Sequence, residues 1–262
     1  MVSIVIPSIT VSLIFMFALW TIQLKTRNAG IVDIGWTVCV FFFGCMYFLK
    51  GPGFFQRKIL FFIMIGLWAG RLVYHLVSRG VFEQEDARYQ RLRREWGQHI
   101  QIKFLFLFLF EALLAFVITV PFLIASRNLE ANIGLWEYAA CILWICGFLG
   151  EFIADQQLKD FKQDPSNKGK TCQCGLWYYS RHPNYFFEWV MWVAYFTFAL
   201  NSEWGIVAVI APAVMWFFLV YVTGIPFAEE QALKNRGDDY RSYQQTTSFF
   251  VPWPKKMKVN DL

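Results

Sequence analysis

Hydrophobic positions along this chain do not alternate with polar ones; they come in long blocks separated by short polar breaks. A helix needs about 20 mostly apolar residues to cross the hydrocarbon of a bilayer. Seven blocks approach or meet that length: 4–24, 31–49, 59–77, 104–124, 133–153, 185–200 and 204–225. The sixth is short, so neighbouring helices are expected to shelter it. The pattern predicts an all-α integral membrane protein with seven transmembrane helices. No repeat, low-complexity stretch or long linker divides the chain, which reads as a single seven-helix domain over 1–262. The first block lacks the basic start and small-residue cleavage site of a secretory signal, and is kept as a span.

Composition agrees: 57% of residues are hydrophobic and 20% aromatic, above the roughly 45–50% apolar fraction of soluble domains. Charge then orients the helices. Nineteen of the 24 basic residues lie in the first, third and fifth loops and the tail, against four in the opposite loops. The positive-inside rule therefore places those loops and the C-terminus in the cytoplasm and the N-terminus outside. The net charge of +5 reports this topology rather than nucleic-acid binding. It also suits an anionic ligand on the cytoplasmic side. Four cysteines lie within spans as small apolar residues. Cys172 and Cys174 sit in a predicted cytoplasmic loop, where disulfides are uncommon, and a C-x-C lacks the paired spacing of a structural zinc site. No metal is expected.

Polar groups inside or beside the spans carry the chemistry, because ionisable groups in a bilayer are costly and face the protein interior. Asp33 opens the second span, as a helix-dipole acid or as a functional one. Arg71, His75 and Ser78 fall within about 60° of one another on the third helix. They form a polar stripe that either lines a cavity or snorkels to the interface. The following loop mixes both charge signs at helical spacing and reads as an interfacial helix, from which Arg88 or Tyr89 reaches toward a ligand. Glu111 stands alone among Phe and Leu and reads as a sheltered structural carboxylate. Glu151, Asp155 and Lys162 share one face of the fifth span's extension. A ribose hydroxyl on Asp155 and a phosphate on Lys162 fit that face; simple solvation of the helix end fits it as well. Lys168, Gly169 and Lys170 add a flexible basic segment.

The densest polar stretch is residues 175–188, Gly-Leu-Trp-Tyr-Tyr-Ser-Arg-His-Pro-Asn-Tyr-Phe-Phe-Glu. Pro183 suits a first helical turn, leaving backbone N–H groups that can hold an anion. Asn184 and Glu188 share a face, the carboxylate one turn deeper, where it asks for a donor such as a carboxamide. An interfacial aromatic belt accounts for Trp177, Tyr178 and Tyr179 but not for Asn184 and Glu188. In the tail, a helix stopped by Gly237 precedes an aromatic hook, with Tyr240 and Tyr243 committed to packing.

Two segments, Gly-Leu-Trp-x-Tyr-Ser-Arg-His-Pro-Asn-Tyr-Phe-x-Glu-Trp at 175–189 and Arg-Gly-Asp-Asp-Tyr-x-x-Tyr-x-x-x-Thr-Ser-x-Phe-x-Pro at 236–252, resemble the steroid 5-alpha-reductase family. They look like its bacterial, DUF1295-like branch of membrane reductases. The resemblance implies a seven-helix enzyme, taken to be a monomer in a bacterial inner membrane, that binds NADPH from the cytoplasmic side. Such an enzyme reduces the carbon–carbon double bond of an enone in a hydrophobic, steroid- or isoprenoid-like substrate. It assigns Asp155, Lys162, Lys170, Asn184 and Glu188 to the cofactor, with Arg79, Tyr179, Arg181, His182, Tyr185, Glu230, Tyr240 and Tyr243 around them. Asp33 falls where steroid reductases place a catalytic glutamate. Two positions depart from the family: Val32 replaces a glutamine and Leu67 replaces a carbonyl-polarising tyrosine.

Enone reduction needs an acid on the carbonyl oxygen where water is excluded. A protonated Asp33 is expected to serve, with Tyr74 in reserve. Methyl transfer from S-adenosylmethionine to a lipid or isoprenoid thiol is the second reading, since Arg-His-Pro-x-Tyr occurs in that group too. It leaves Lys162 and Lys170 without a phosphate to meet. A non-catalytic transporter or scaffold is the third, and would spread polar residues through both leaflets.

Overall fold

The structure is a computed structural model and describes residues 2–256; Lys258, counted above among the tail cations, lies outside them. Among the described residues every regular element is helical, and one isolated parallel bridge joins Ser180 to Ser248. The helices are α1 (Val2–Thr26), α2 (Ile31–Lys50), α3 (Phe55–Ser78), α4 (Ala87–Trp96), α5 (Ile100–Ile118), α6 (Val120–Ala125) and α7 (Leu135–Gln163). There follow α8 (Leu176–Tyr179), α9 (Pro183–Ala199), α10 (Ile210–Phe217), α11 (Ile225–Arg236) and α12 (Asp238–Thr246).

Among the described residues six helical stretches are long and apolar enough to cross a membrane: Ser3–Thr26, Ile31–Lys50, Phe55–Ser78, Ile100–Ala125, Leu135–Gln163 and Gly205–Arg236. The chain is thus a multi-pass membrane protein. The block expected to form the sixth span is α9, whose 17 residues reach only about 25 Å at 1.5 Å per residue. Its Met191, Trp192, Ala194 and Tyr195 are fully buried, so this helix is apolar because it is enclosed by protein.

The residues group into two compact units, Met1–Glu137 with Phe198–Ala211, and Tyr138–Thr197 with the chain from Pro212 onward. In the first, α2 packs against α1, α3 and α5, and α1 also packs on α5. Met16, Val40, Phe43, Phe104 and Phe108 fill the interior with no exposed surface. At one end of this unit lies a fully buried ion pair between Arg57 Nε and Glu137 Oε1, 2.9 Å apart. The guanidinium also donates to the carbonyl oxygens of Asn128, Glu130 and Asn132, so one cation satisfies the turn that joins α6 to α7. Glu137 in turn accepts the Gly134 N–H at 3.0 Å.

In the second unit α9 lies tight against α7. A Cβ at Gly147 would stand 3.0 Å from the Phe187 carbonyl oxygen and 3.1 Å from the Met191 nitrogen, an approach that only glycine permits. Higher up, Trp144 Nε1 donates to the Tyr195 hydroxyl at 2.9 Å. This contact fixes which residues of the two helices face each other away from the polar end.

Removing one partner of a buried ion pair leaves the other charge uncompensated, a loss of about 3–5 kcal/mol. Arg57→Met is expected to lower the thermal unfolding midpoint in detergent accordingly, and the Arg57→Met/Glu137→Met double variant to recover much of it. A single-variant loss below about 1 kcal/mol would contradict the role given to this pair.

Candidate functional site

The second unit gathers the polar stretch into a defined cluster. Gly175, at φ +53°, turns the chain into α8; a Cβ there would collide with the Gln157 side chain. Gln157 Oε1 accepts the Leu176 N–H at 2.9 Å, and Trp177 Nε1 donates to the Ala154 carbonyl at 2.9 Å. Both contacts tie α8 to α7. Ser180 then runs extended, with its hydroxyl donating to the Phe250 carbonyl at 2.7 Å. The Arg181 N–H donates to the Ser248 carbonyl at 2.9 Å. Tyr243, 1% exposed, donates its hydroxyl to the carbonyls of Trp177 and Ser180. The tail therefore clamps the stretch through the backbone, and α9 starts at Pro183 as its sequence predicts.

Glu229 on α11 is the hub of this clamp. Its Oε1 lies 3.0 Å from Arg181 Nε and 3.2 Å from His182 Nε2. The Arg181 contact is an ion pair by distance but lacks hydrogen-bond alignment at Nε; a directed bond runs instead from Arg181 Nη1 to the Gln244 carbonyl at 3.1 Å. Gln244 Nε2 donates to Glu229 Oε2 at 2.8 Å, and the Tyr240 hydroxyl approaches Oε1 at 3.4 Å. Burial lowers the His182 pKa below 6.5 despite the Glu229 bond, with the Arg181 charge acting in the same direction. His182 is thus a neutral Nε2–H donor near pH 7, stacked on Tyr185 with the rings 5.8 Å apart. Burial, and then the Glu229 charge, push the Tyr240 hydroxyl pKa up; burial does the same for Tyr243.

Beside the clamp, Asn184 Nδ2 donates to Asp155 Oδ1 at 3.2 Å, joining the start of α9 to α7. One turn deeper, Glu188 Oε1 accepts Trp192 Nε1 at 2.8 Å. Lys162, Lys168 and Lys170 are exposed at the end of α7 and in the segment after it, as are Tyr179 and Glu230. The structure thus brings Asp155 to Asn184, gathers Arg181, His182 and Tyr240 around a carboxylate the sequence reading missed, and sets Tyr243 on the Trp177 and Ser180 carbonyls. That reading named Glu230, the neighbour of Glu229. A signal was present, because Ile225, Glu229, Ala232 and Leu233 fall on one helical face and three of the four are apolar.

In the first unit, Asp33 was expected to donate a proton. Instead both of its oxygens accept: Oδ2 from Arg88 Nη2 at 2.8 Å and Oδ1 from the Tyr89 hydroxyl at 2.7 Å. The physical reason is α4, capped by Asp86, which also takes Arg88 Nε at 3.0 Å and so aims the guanidinium at Asp33. The Asp33 charge raises the Arg88 pKa well above its ordinary value, and burial followed by the same charge raises that of Tyr89. Tyr74, at 71% exposed, takes no part in this group. Arg79 lies 3.9 Å from Asp86 and stays mostly in the open.

Comparison with known proteins places the chain. It matches, over residues 19–247, the family described as "Protein of unknown function (DUF1295)", and belongs to that family, which includes steroid 5-alpha-reductase-like proteins. An uncharacterized protein of Schizosaccharomyces pombe is 27% identical across 266 aligned positions, covering 89% of this chain and 75% of that protein. No solved structure matches.

The buried histidine gives the clamp a pH dependence of definite sign. In the unfolded chain His182 titrates near 6.5, and in the fold below that. The contribution is complete above 6.5 and is lost as pH falls toward the folded value, because the unfolded state takes the proton first. The thermal midpoint is therefore expected to fall between pH 7.5 and 5 by more in the wild type than in His182→Gln, measured in the same detergent. Equal slopes would refute the assignment.

Proposed function

We propose that this DUF1295 protein is an NADPH-dependent reductase that saturates the carbon–carbon double bond of a conjugated enone in a hydrophobic, 3-oxo-Δ4-steroid-like or isoprenoid-like substrate. The observation that carries the reading is the Asp155–Asn184 pair where the start of α9 meets α7, with Glu188 one turn below and exposed lysines further along the chain at 162–170. The donor set suits a phosphorylated dinucleotide. A carboxylate accepts from a ribose hydroxyl, exposed lysines meet phosphate, and a carboxamide pairs with the carboxamide of a nicotinamide. When bound, NADPH supplies the hydride that adds to the β-carbon of the enone.

The chain's own residues then divide the work. Asn184 and Glu188 orient the ring, with Glu188 held by Trp192. Asp155 holds the ribose, and Lys162 and Lys170 hold the adenosine phosphate. Arg181, His182, Tyr240 and Tyr243 are already bound to Glu229 or to backbone carbonyls; in this reading they brace the cradle and keep its backbone in place. On the substrate side Asp33 acts by holding Arg88 and the Tyr89 hydroxyl, whose raised pKa keeps its proton in place. The basic loops and the C-terminus face the cytoplasm, the N-terminus faces out, and α9 serves as the enclosed seventh crossing.

NADPH is expected to raise the thermal midpoint of the purified protein more than NADH or S-adenosylmethionine does. Lys162→Ala should weaken NADPH about tenfold, close to 1.4 kcal/mol, while leaving NADH nearly unchanged, and Asn184→Ala should weaken both. Asp33→Asn should keep the NADPH shift and lose turnover of an enone. A shift with S-adenosylmethionine and none with NADPH would overturn the reductase reading in favour of methyl transfer.

A further inference from the structure

The irregular segment between Lys170 and Gly175 is held at both ends. The Thr171 N–H donates to Asp239 Oδ2 at 2.7 Å, and the Leu176 N–H to Gln157 Oε1 at 2.9 Å. Between these anchors Cys172 Sγ and Cys174 Sγ lie 3.5 Å apart. The intervening Gln173 is engaged by its own partner, Lys255 Nζ, at 2.6 Å. Lys255 is in turn seated over the Tyr178 ring, 4.5 Å from its centre. The two thiols therefore meet in a segment already held by three separate contacts, and bringing the sulfurs together costs little further order.

We propose that Cys172 and Cys174 form a reversible dithiol–disulfide site that exchanges with low-molecular-weight disulfides of the oxidised-glutathione class. The two cysteines have different roles because their surroundings differ. Cys174 is exposed and Cys172 is 3% exposed. The Cys174 thiolate attacks one sulfur of the disulfide, forming a Cys174–glutathione mixed disulfide and releasing one glutathione thiolate. The Cys172 thiolate then attacks the Cys174 sulfur, forming the Cys172–Cys174 bond and releasing the second glutathione. Two protein thiols lose two protons and two electrons, and both glutathione halves leave reduced. The second step is slow at neutral pH, because burial pushes the Cys172 thiol up to about 12.

A bond across a single intervening residue closes a very short loop and so adds little stability to the fold, the mark of a labile bond rather than a structural one. In a reducing compartment it forms only transiently. Closing it stiffens the segment between the Lys168–Lys170 stretch and α8, and so stiffens one border of the clamp. The thiol chemistry itself is independent of what the clamp binds.

The full-length protein in detergent is equilibrated in buffers of varied oxidised-to-reduced glutathione ratio, alkylated, digested and weighed by mass spectrometry. In oxidising buffer the peptide carrying both cysteines is expected to be lighter by two hydrogens and unalkylated, and to revert with excess reduced glutathione. The closing rate should rise about tenfold per pH unit between pH 7 and 9. Cys172→Ser should trap glutathione on Cys174, and Cys174→Ser should leave Cys172 modified at least tenfold more slowly than Cys174. Alkylation of both cysteines at every ratio, pairing of either with Cys39, Cys45, Cys141 or Cys146, or equal modification rates in the two variants would each overturn the proposal.

Discussion

Glu229 is the carboxylate on which the polar half of the second unit depends. One side chain meets Arg181 and His182 at the entrance to α9, and Gln244 and Tyr240 on the following helix. Arg181 is 11% exposed at its side chain and Glu229 19%. In so dry a setting each charge is tolerable only because the other is there. The consequence is positional. The cation and the imidazole sit three and two residues before Asn184, so where Glu229 holds them decides where the amide of Asn184 is presented.

The tail completes the arrangement from the other side. Tyr243 ties α12 to the carbonyls of Trp177 and Ser180, and Phe250 packs against Phe186 and Trp189 of α9. Backbone atoms carry most of these links, which include Arg181 to Ser248 and Trp253 to Tyr179. A stretch held by its backbone keeps its path when its side chains change. Such a scaffold leaves Asn184 and Glu188 to be selected for what they bind rather than for what they support.

Features set by local backbone chemistry were legible in the chain. Pro183 opens α9 and Gly237 closes α11, since a fixed φ and a positive φ each restrict the residue at that point. The shared face of Asn184 and Glu188 followed from helical periodicity alone. Choices made by distant packing were not legible. Glu229 and Glu230 differ by about 100° around α11, and which one turns inward depends on where Tyr240 and Tyr243 sit against Ala232 and Leu233. Arg57 read as an ordinary loop charge because its partner Glu137 lies 80 residues away. Asp33 read as a lone acid for the same reason, its partners Arg88 and Tyr89 lying 55 and 56 positions away.

The three charge pairs have one property in common: each cation is an arginine. Arg57 spends its three nitrogens on four oxygens, Arg88 bridges Asp33 and Asp86, and Arg181 joins Glu229 to the Gln244 carbonyl. A planar guanidinium suits such work, because its donors are fixed in a fork and several acceptors can be met at once with little loss of freedom. The lysines of the 162–170 stretch are exposed. An ammonium on a flexible stem is a poor internal brace but a good partner for a phosphate that arrives and leaves. The two kinds of cation thus separate frame from ligand: substitutions of these arginines act first on the fold, and substitutions of those lysines act first on what the fold holds.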